Sequence, residues 1–225
     1  MTGARDSIRR GVGAARAKLR RGPEADKATA YWADLPSYHA SNDENPLALE
    51  RSRWLAEVVV PELGAESVLE LGTNSGRNLG VIREHHPDAR LLGLDVNARA
   101  LEHARAQHPT IDFQLQDVNR WSEGPDSWDA ILTMSVLDHI PDDAMESLAR
   151  NVASTARYVI AVELWDGGEG ERGLYKYSRD TRALFEAHGA RTLRWELSPG
   201  QYDMKKSPLY AYVGEFGRSS ASGGE

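Results

Sequence analysis

The 225-residue chain has no cysteine, only three phenylalanines and no apolar run approaching the width of a bilayer. The first absence excludes disulfides, thiolate nucleophiles and cysteine-ligated zinc together, and a reducing cytoplasmic setting is the expectation. Spanning a membrane takes about 20 consecutive apolar residues. The longest runs here are strand-length, such as Val58-Val59-Val60 and Tyr158-Val159-Ile160-Ala161-Val162. No secretory signal is expected either, because the basic start is not followed by an apolar segment.

An excess of positive charge is also lacking. The formal net charge is −7, yet residues 1–27 hold eight Lys/Arg against three Asp/Glu. That local balance of +5 leaves −12 for the remainder. A body this acidic disfavours nucleic acid as a partner, since such binding needs a basic stripe to displace counterions.

What is present is an ordinary globular composition, with 40% apolar and 27% charged residues. The length is enough for one domain with a full core. Residues 1–27 read as a basic leader. Ile8, Val12, Ala15 and Leu19 recur at helical spacing, so an amphipathic helix resting on an anionic membrane is one reading. Gly11, Gly13 and Gly22 favour the other, a flexible leader. Residues 28–64 read as a cap or lid followed by a helix over Pro46–Leu63, with Leu47, Trp54, Leu55 and Val58 on its apolar side. Tyr31, Trp32, Tyr38 and His39 fall in this stretch, which either folds over a site or is a surface loop. Residues 217–225 read as a flexible tail.

Residues 65–216 alternate strands and helices. Strands are predicted at Ser67–Leu71, Arg90–Leu94, Ile111–Leu115, Trp128–Met134 and Tyr158–Leu164. Helices are predicted at Asn78–His86, Ala98–Gln107, Asp142–Asn151 and Arg179–His188, and Thr192–Leu197 with Leu209–Glu215 as a closing antiparallel pair. Units of this length imply an α/β fold: a seven-stranded, Rossmann-like, mostly parallel sheet with helices on both faces and an antiparallel final strand.

One turn carries the chemistry. Glu70-Leu71-Gly72-Thr73-Asn74-Ser75-Gly76 ends the first strand and opens a helix, which brings backbone N–H groups close to a ligand. Its order is Glu-x-Gly-x-x-x-Gly, not the Gly-x-Gly-x-x-Gly of dinucleotide folds, so a nicotinamide dehydrogenase is disfavoured. Asp95, at the carboxyl end of the next strand, is placed to accept ribose hydroxyls. Asp117 follows the third strand, where an adenine amino group would find an acceptor. Three acids at three successive strand ends around one Gly turn point to an adenosine-type cofactor.

Residues 67–163 resemble the class I S-adenosylmethionine-dependent methyltransferases. The resemblance rests on Val68-Leu69-Glu70-Leu71-Gly72 with Gly76, Gly93-Leu94-Asp95, Gln116-Asp117-Val118, Trp128-Asp129-Ala130-Ile131 and Leu137-Asp138-His139-Ile140-Pro141-Asp142-Asp143. Asn74 departs from the family, many members having glycine there, but asparagine also accepts left-handed conformations. The resemblance implies S-adenosylmethionine as cofactor. It places Glu70 at the Gly turn and the methionine end, Asp95 at the ribose and Asp117 at the adenine, with Gly72, Thr73, Asn74, Gly76, Asn78, Val96 and Val118 also binding the cofactor. Met134 and Ser135, with Val136, would line the sulfonium side. The chain is also similar to methylases of bacterial sugar biosynthesis, such as those of pseudaminic acid loci, through Leu69–Leu79, Thr133–Ile140, Tyr158–Glu163 and Leu174–Asp180. A saccharide hydroxyl is therefore the first expected acceptor, another small metabolite the second, and a catalytically silent cofactor-binding regulator the third reading.

An oxygen acceptor usually needs its proton removed. His139, with Asp138 beside it, is the candidate base; the bland alternative is that His139 caps a helix entrance or packs on Pro141. Asp138, Glu163 and Asp166 have a second reading as hard oxygen ligands for magnesium. Tyr175, Lys176, Tyr177 and Arg179 are candidates for the acceptor rim, or ordinary packing. Arg51 and Arg53 either reach the cofactor carboxylate or lie on a solvated helix face. The sequence leaves the oligomeric state open.

Overall fold

The computed structural model describes residues 23–36, 43, 45–124, 127–168, 170–173, 175–201 and 208–217. The leader before residue 23, Tyr38, His39 and the tail from residue 218 lie outside them. The strands among the described residues are β1 Ser67–Leu71, β2 Arg90–Asp95, β3 Asp112–Leu115, β4 Trp128–Met134, β5 Ala156–Leu164, β6 Gly170–Gly173, β7 Lys176–Ser178, β8 Ala190–Leu197 and β9 Leu209–Phe216. Helix α1 is Pro23–Asp34. Helix α2 runs Pro46–Trp54, through a π turn at Leu55–Val59, into Val60–Leu63. The others are α3 Arg77–His85, α4 Ala98–Gln107, α5 Asp142–Thr155 and α6 Thr181–Glu186.

Seven strands form one sheet in the order β3-β2-β1-β4-β5-β9-β8, and β6 pairs with β7 in a separate hairpin. Strands β1 to β5 are mutually parallel, while β9 runs antiparallel to both β5 and β8. The expected sheet, its helical covering and its antiparallel final strand are all present.

Central strands buried on both faces need continuous apolar sequence. Within β5, every residue except Arg157 is buried. Two apolar layers result, one on each face: Leu69, Ile131, Val159 and Tyr212 belong to one, and Val68, Ala130, Ile160 and Val213 to the other. The alternation of neighbours between the layers is the period-2 geometry of a strand.

Helix ends follow local chemistry. Asn45 accepts from the N–H groups of Leu47 and Ala48, and Asn97 from those of Arg99 and Ala100, as N-caps do. Asp180 accepts from Ala183 N–H, so α6 starts at Thr181 and not at the expected Arg179. The π turn of α2 precedes Pro61, which has no N–H to donate; the Val60 N–H bonds Leu55 O, five residues back. Gly64, at φ 58°, then terminates the helix.

The sheet order reverses between β1 and β4, so their following segments part in opposite directions. A crevice opens there at the carboxyl ends of the strands. Its opposite edge is stapled by Asp129, whose Oδ2 accepts from the N–H groups of Glu66 and Ser67 and from the Ser67 hydroxyl. Asp129→Ala leaves those donors to water, and should lower unfolding free energy by about 1–3 kcal/mol. Equilibrium denaturation measures this; a loss inside experimental scatter would show the staple contributes nothing.

Candidate functional site

A cleft of about 770 Å³, open solvent included, lies over that reversal point. Gly72, Asn74, Asp95, Asp117, Ser135, Val136 and His139 line it from the sheet side, and Ala28, Thr29, Trp32 and Leu35 cover it.

The Gly turn is built from below. Glu70, 1% exposed, uses both carboxylate oxygens on it: Oε2 accepts from the Thr73 hydroxyl at 2.7 Å, and Oε1 from the Asn78 amide at 2.6 Å. Burial raises the Glu70 pKa to about 7, against the opposing effect of these two hydrogen bonds. Gly72 sits at φ 70°, and a Cβ there would collide with the Val136 side chain. Asn74 takes the left-handed conformation at φ 51°, as the sequence anticipated for this departure from glycine. Of the residues expected at the cofactor, Glu70, Thr73, Gly76, Asn78 and Met134 stand behind the cleft wall. Met134 presents Sδ to the Asn78 amide and the Arg77 guanidinium, each at 3.7 Å.

Asp95 lines the cleft while holding two loops, its Oδ2 accepting from Asn74 N–H and its Oδ1 from Asn97 N–H, both at 2.8 Å. Burial raises its pKa. Val96 lines the cleft beside it. Asp117 accepts from Asn119 N–H and lies 3.2 Å from the Thr29 hydroxyl on α1, which accepts from the Asn119 amide at 3.1 Å. Val118 lines the same end. The Asn97 amide donates to the Trp32 and Leu35 carbonyls. Thus the cover is tied down by residues that follow β2 and β3.

The third wall is the turn after β4. Ser135 has φ 53°, a left-handed conformation uncommon for serine. Leu137–His139 follows as a single 3-10 turn. Beneath it lies Glu163, 2% exposed, with Oε2 accepting from the N–H groups of Val136 at 2.9 Å and Leu137 at 3.1 Å, and more distantly from Asp138 at 3.4 Å. His139 Nδ1 lies 2.8 Å from the Tyr175 carbonyl. A carbonyl only accepts, so Nδ1 carries hydrogen and Nε2 is the basic nitrogen of the neutral ring. Nε2 lies 3.5 Å from Asp138 Oδ1. The Trp32 ring packs on the imidazole, with centroids 4.2 Å apart.

Two sequence expectations change here. The alternative metal trio of Asp138, Glu163 and Asp166 is not assembled. Asp166 instead accepts from the Ser178 hydroxyl and Gly168 N–H, shaping the β6–β7 hairpin. Among the described residues no group of three His, Asp or Glu side chains is arranged to hold a metal. Arg51 is buried and donates to the Gly200 carbonyl, and neither it nor Arg53 lines the cleft. Of the rim candidates, Tyr175 stands against Tyr31, and Arg179 binds the Leu137 carbonyl at 2.7 Å and Asp142 at 2.6 Å.

Residues 68–157 match the model of the methyltransferase domain family. Over this stretch the chain is similar to methyltransferase domains. A similar curated protein is trans-aconitate 2-methyltransferase of Methylobacterium radiotolerans, 36% identical over 99 residues, covering 42% of this chain and 37% of that one. The chain thus matches little more than a third of this relative's length. Among solved structures, a SAM-dependent methyltransferase of Leishmania major superposes with TM-score 0.70 at 16% identity, covering 85% of this chain and 83% of that one. The N-methyltransferase NodS of Bradyrhizobium japonicum, solved with S-adenosylhomocysteine, gives 0.65 at 16% identity, covering 85% and 98%. The class I resemblance read from the sequence is borne out by domain and fold.

For this domain, sequence reasoning missed Thr29, Asn97 and Asn119 as cleft residues. Only Asn97 carried a signal, as a helix cap, and its second task, holding the α1 carbonyls, has none in sequence. The raised acids predict a pH dependence. Glu70 near 7 and Glu163 near 8 (burial, then repulsion from Asp138, raises the latter) bind protons that the unfolded chain releases from about pH 4.5 upward. Their contribution to stability should therefore fall as pH rises from about 5 to 8, by on the order of 1 kcal/mol or more, and be fully present below about 4.5. Denaturation midpoints at pH 5.5 and 8 check the sign; a midpoint that rises with pH would contradict it.

Proposed function

We propose that the chain transfers a methyl group from S-adenosylmethionine to an oxygen of a small-molecule acceptor. The observation that carries this reading is His139: it lines the same cleft as Asp95, Asp117 and the Gly72 turn, with its basic nitrogen selected by the Tyr175 carbonyl. The residues fit the cofactor. The buried Oδ1 atoms of Asn74 and Asn119 have no hydrogen-bond partner among the described residues, and such atoms call for donors from a ligand. A Cβ at Gly72 would also press on Val136, consistent with a wall held back for close approach.

When bound, S-adenosylmethionine supplies a methyl group on a positively charged sulfur. The chain supplies position. Asp95 retains lone pairs for ribose hydroxyls, Asp117 and Asn119 offer acceptors at the adenine end, and α1 excludes water. His139 would take the acceptor's proton at Nε2, and Asp138 Oδ1, 3.5 Å away, would face the resulting imidazolium. Alignment carries much of the remaining rate, because the reaction is a displacement between held partners.

A base is needed for a hydroxyl and not for a carboxylate, which favours hydroxyl acceptors, the saccharide hydroxyl among them. The relatives' name points to a carboxylate acceptor as the second reading. A cytoplasmic setting agrees with both; no described helix is long and apolar enough to cross a membrane.

Turnover of saccharides, including nucleotide sugars, and of trans-aconitate should be measured with wild type and His139→Ala. On a hydroxyl acceptor the variant should lose about 10²–10⁴-fold in kcat with S-adenosylhomocysteine affinity retained. Unchanged turnover would remove His139 as base, and turnover of trans-aconitate alone would favour the carboxylate reading. Separately, Gly72→Ala should weaken S-adenosylhomocysteine binding about tenfold or more in calorimetry. Undiminished affinity would show that the cofactor does not lie against this turn.

A further inference from the structure

The segment that presents His139 is gripped from outside residues 68–157, the stretch that matches the domain family. Ser135 is left-handed and Val136 has φ −122° and ψ −48°. This bend aims three successive N–H groups at one carboxylate oxygen, Glu163 Oε2. Such a concavity of backbone donors is an anion-binding nest. On the carbonyl side of the same turn, Arg179 Nη1 donates to Leu137 O. Both side chains are buried, at 2% and 9% exposure. Neither lines the cleft.

One buried oxygen beside them is unused: Asp138 Oδ1 has no hydrogen-bond partner among the described residues, and it lies 3.5 Å from His139 Nε2. A carboxylate placed only to staple a loop, as Asp129 is, has no need of a second buried acid on the same turn. The charged group acting on Glu163 is Asp138 on the turn, which lies beside His139, while Arg179 before α6 holds the turn's carbonyl. Arg179 is in turn held by Asp142 at the start of α5.

The geometry points to Glu163 and Arg179 as positioning residues for methyl transfer, acting through the Ser135–His139 backbone to set where His139 presents Nε2. This rests on the reading of His139 as the base. Glu163 grips the turn by its N–H groups and Arg179 by its carbonyl, so the imidazole is fixed at both its backbone and, through Tyr175, its ring. The charge on Glu163 then reaches His139 through Asp138. Burial and Asp138 hold the Glu163 carboxyl in its protonated form at neutral pH, and its ionisation on alkaline titration adds negative charge under the turn.

The test uses the full chain with S-adenosylhomocysteine bound and needs no acceptor. The His139 Cε1–H resonance, assigned by its loss in His139→Ala, is followed by NMR from pH 5 to 10. Wild type should show the imidazole titration plus a second inflection near pH 8. In Glu163→Gln, which keeps an acceptor oxygen but cannot ionise, the second inflection should vanish while affinity stays within about twofold of wild type. Arg179→Lys should retain the second inflection but shift the resonance, because lysine cannot bridge Leu137 O and Asp142 as a planar fork does. An inflection that persists in Glu163→Gln, or is missing in wild type, overturns the proposal, as does an unmoved resonance in Arg179→Lys. Normal hydroxyl-acceptor turnover by His139→Ala, with the inflections intact, would sink the base reading and leave the coupling standing.

Discussion

A carboxylate buried at the end of a strand must find hydrogen-bond donors, and in this protein the donors come from the loop that the strand feeds or from its neighbour. Glu70 binds the Thr73 hydroxyl and the Asn78 amide. Asp95 binds the N–H groups of Asn74 and Asn97, Asp117 that of Asn119, and Glu163 those of Val136 and Leu137. Four acids at four strand ends thereby shape every wall of the cleft on the sheet side. An unpaired buried charge would cost several kcal/mol, so these loops are held in the conformations that supply donors.

This constraint reconciles two roles that sequence reading treats as one. Acids near a Gly turn look like ligand contacts, yet Glu70 and Glu163 stand behind the wall and commit their oxygens to backbone and neighbouring side chains. Asp95 and Asp117 do both, lining the cleft and holding it. The raised pKa values of Glu70 and Glu163 follow from the same placement, because desolvation outweighs the bonds each carboxylate makes. Strain is stored beside the chemistry as well: Asn74 and Ser135, both left-handed without being glycine, flank the cleft from the first and fourth strands.

Most of the fold was legible because strand and helix periods are local. β1, β4 and α4 fall where Ser67–Leu71, Trp128–Met134 and Ala98–Gln107 were expected, and the Gly72 turn carries its signal in one short run of consecutive residues. What stayed hidden depends on pairing across distance. Thr29 meets Asp117 over 88 residues of sequence. α1 begins at Pro23, inside the stretch that composition alone reads as leader, since its helix is settled by what it covers. The β6–β7 hairpin was read only as a run of aromatic and charged residues, although its turn supplies the Tyr175 carbonyl that selects the His139 tautomer. The metal alternative failed for a related reason: nearness to a strand end does not say which way Asp166 turns, and it turns to Ser178.

The central claim is that this cleft holds the nucleoside and sulfur of S-adenosylmethionine between α1 and the four strand ends. A crystal structure of the full chain with S-adenosylhomocysteine tests it most directly. The account predicts ribose hydroxyls within hydrogen-bonding distance of Asp95, adenine beside Asp117 and Asn119, and sulfur next to the Ser135–His139 turn. A nucleoside bound elsewhere on the protein, or lying in the cleft with adenine against His139, would contradict it.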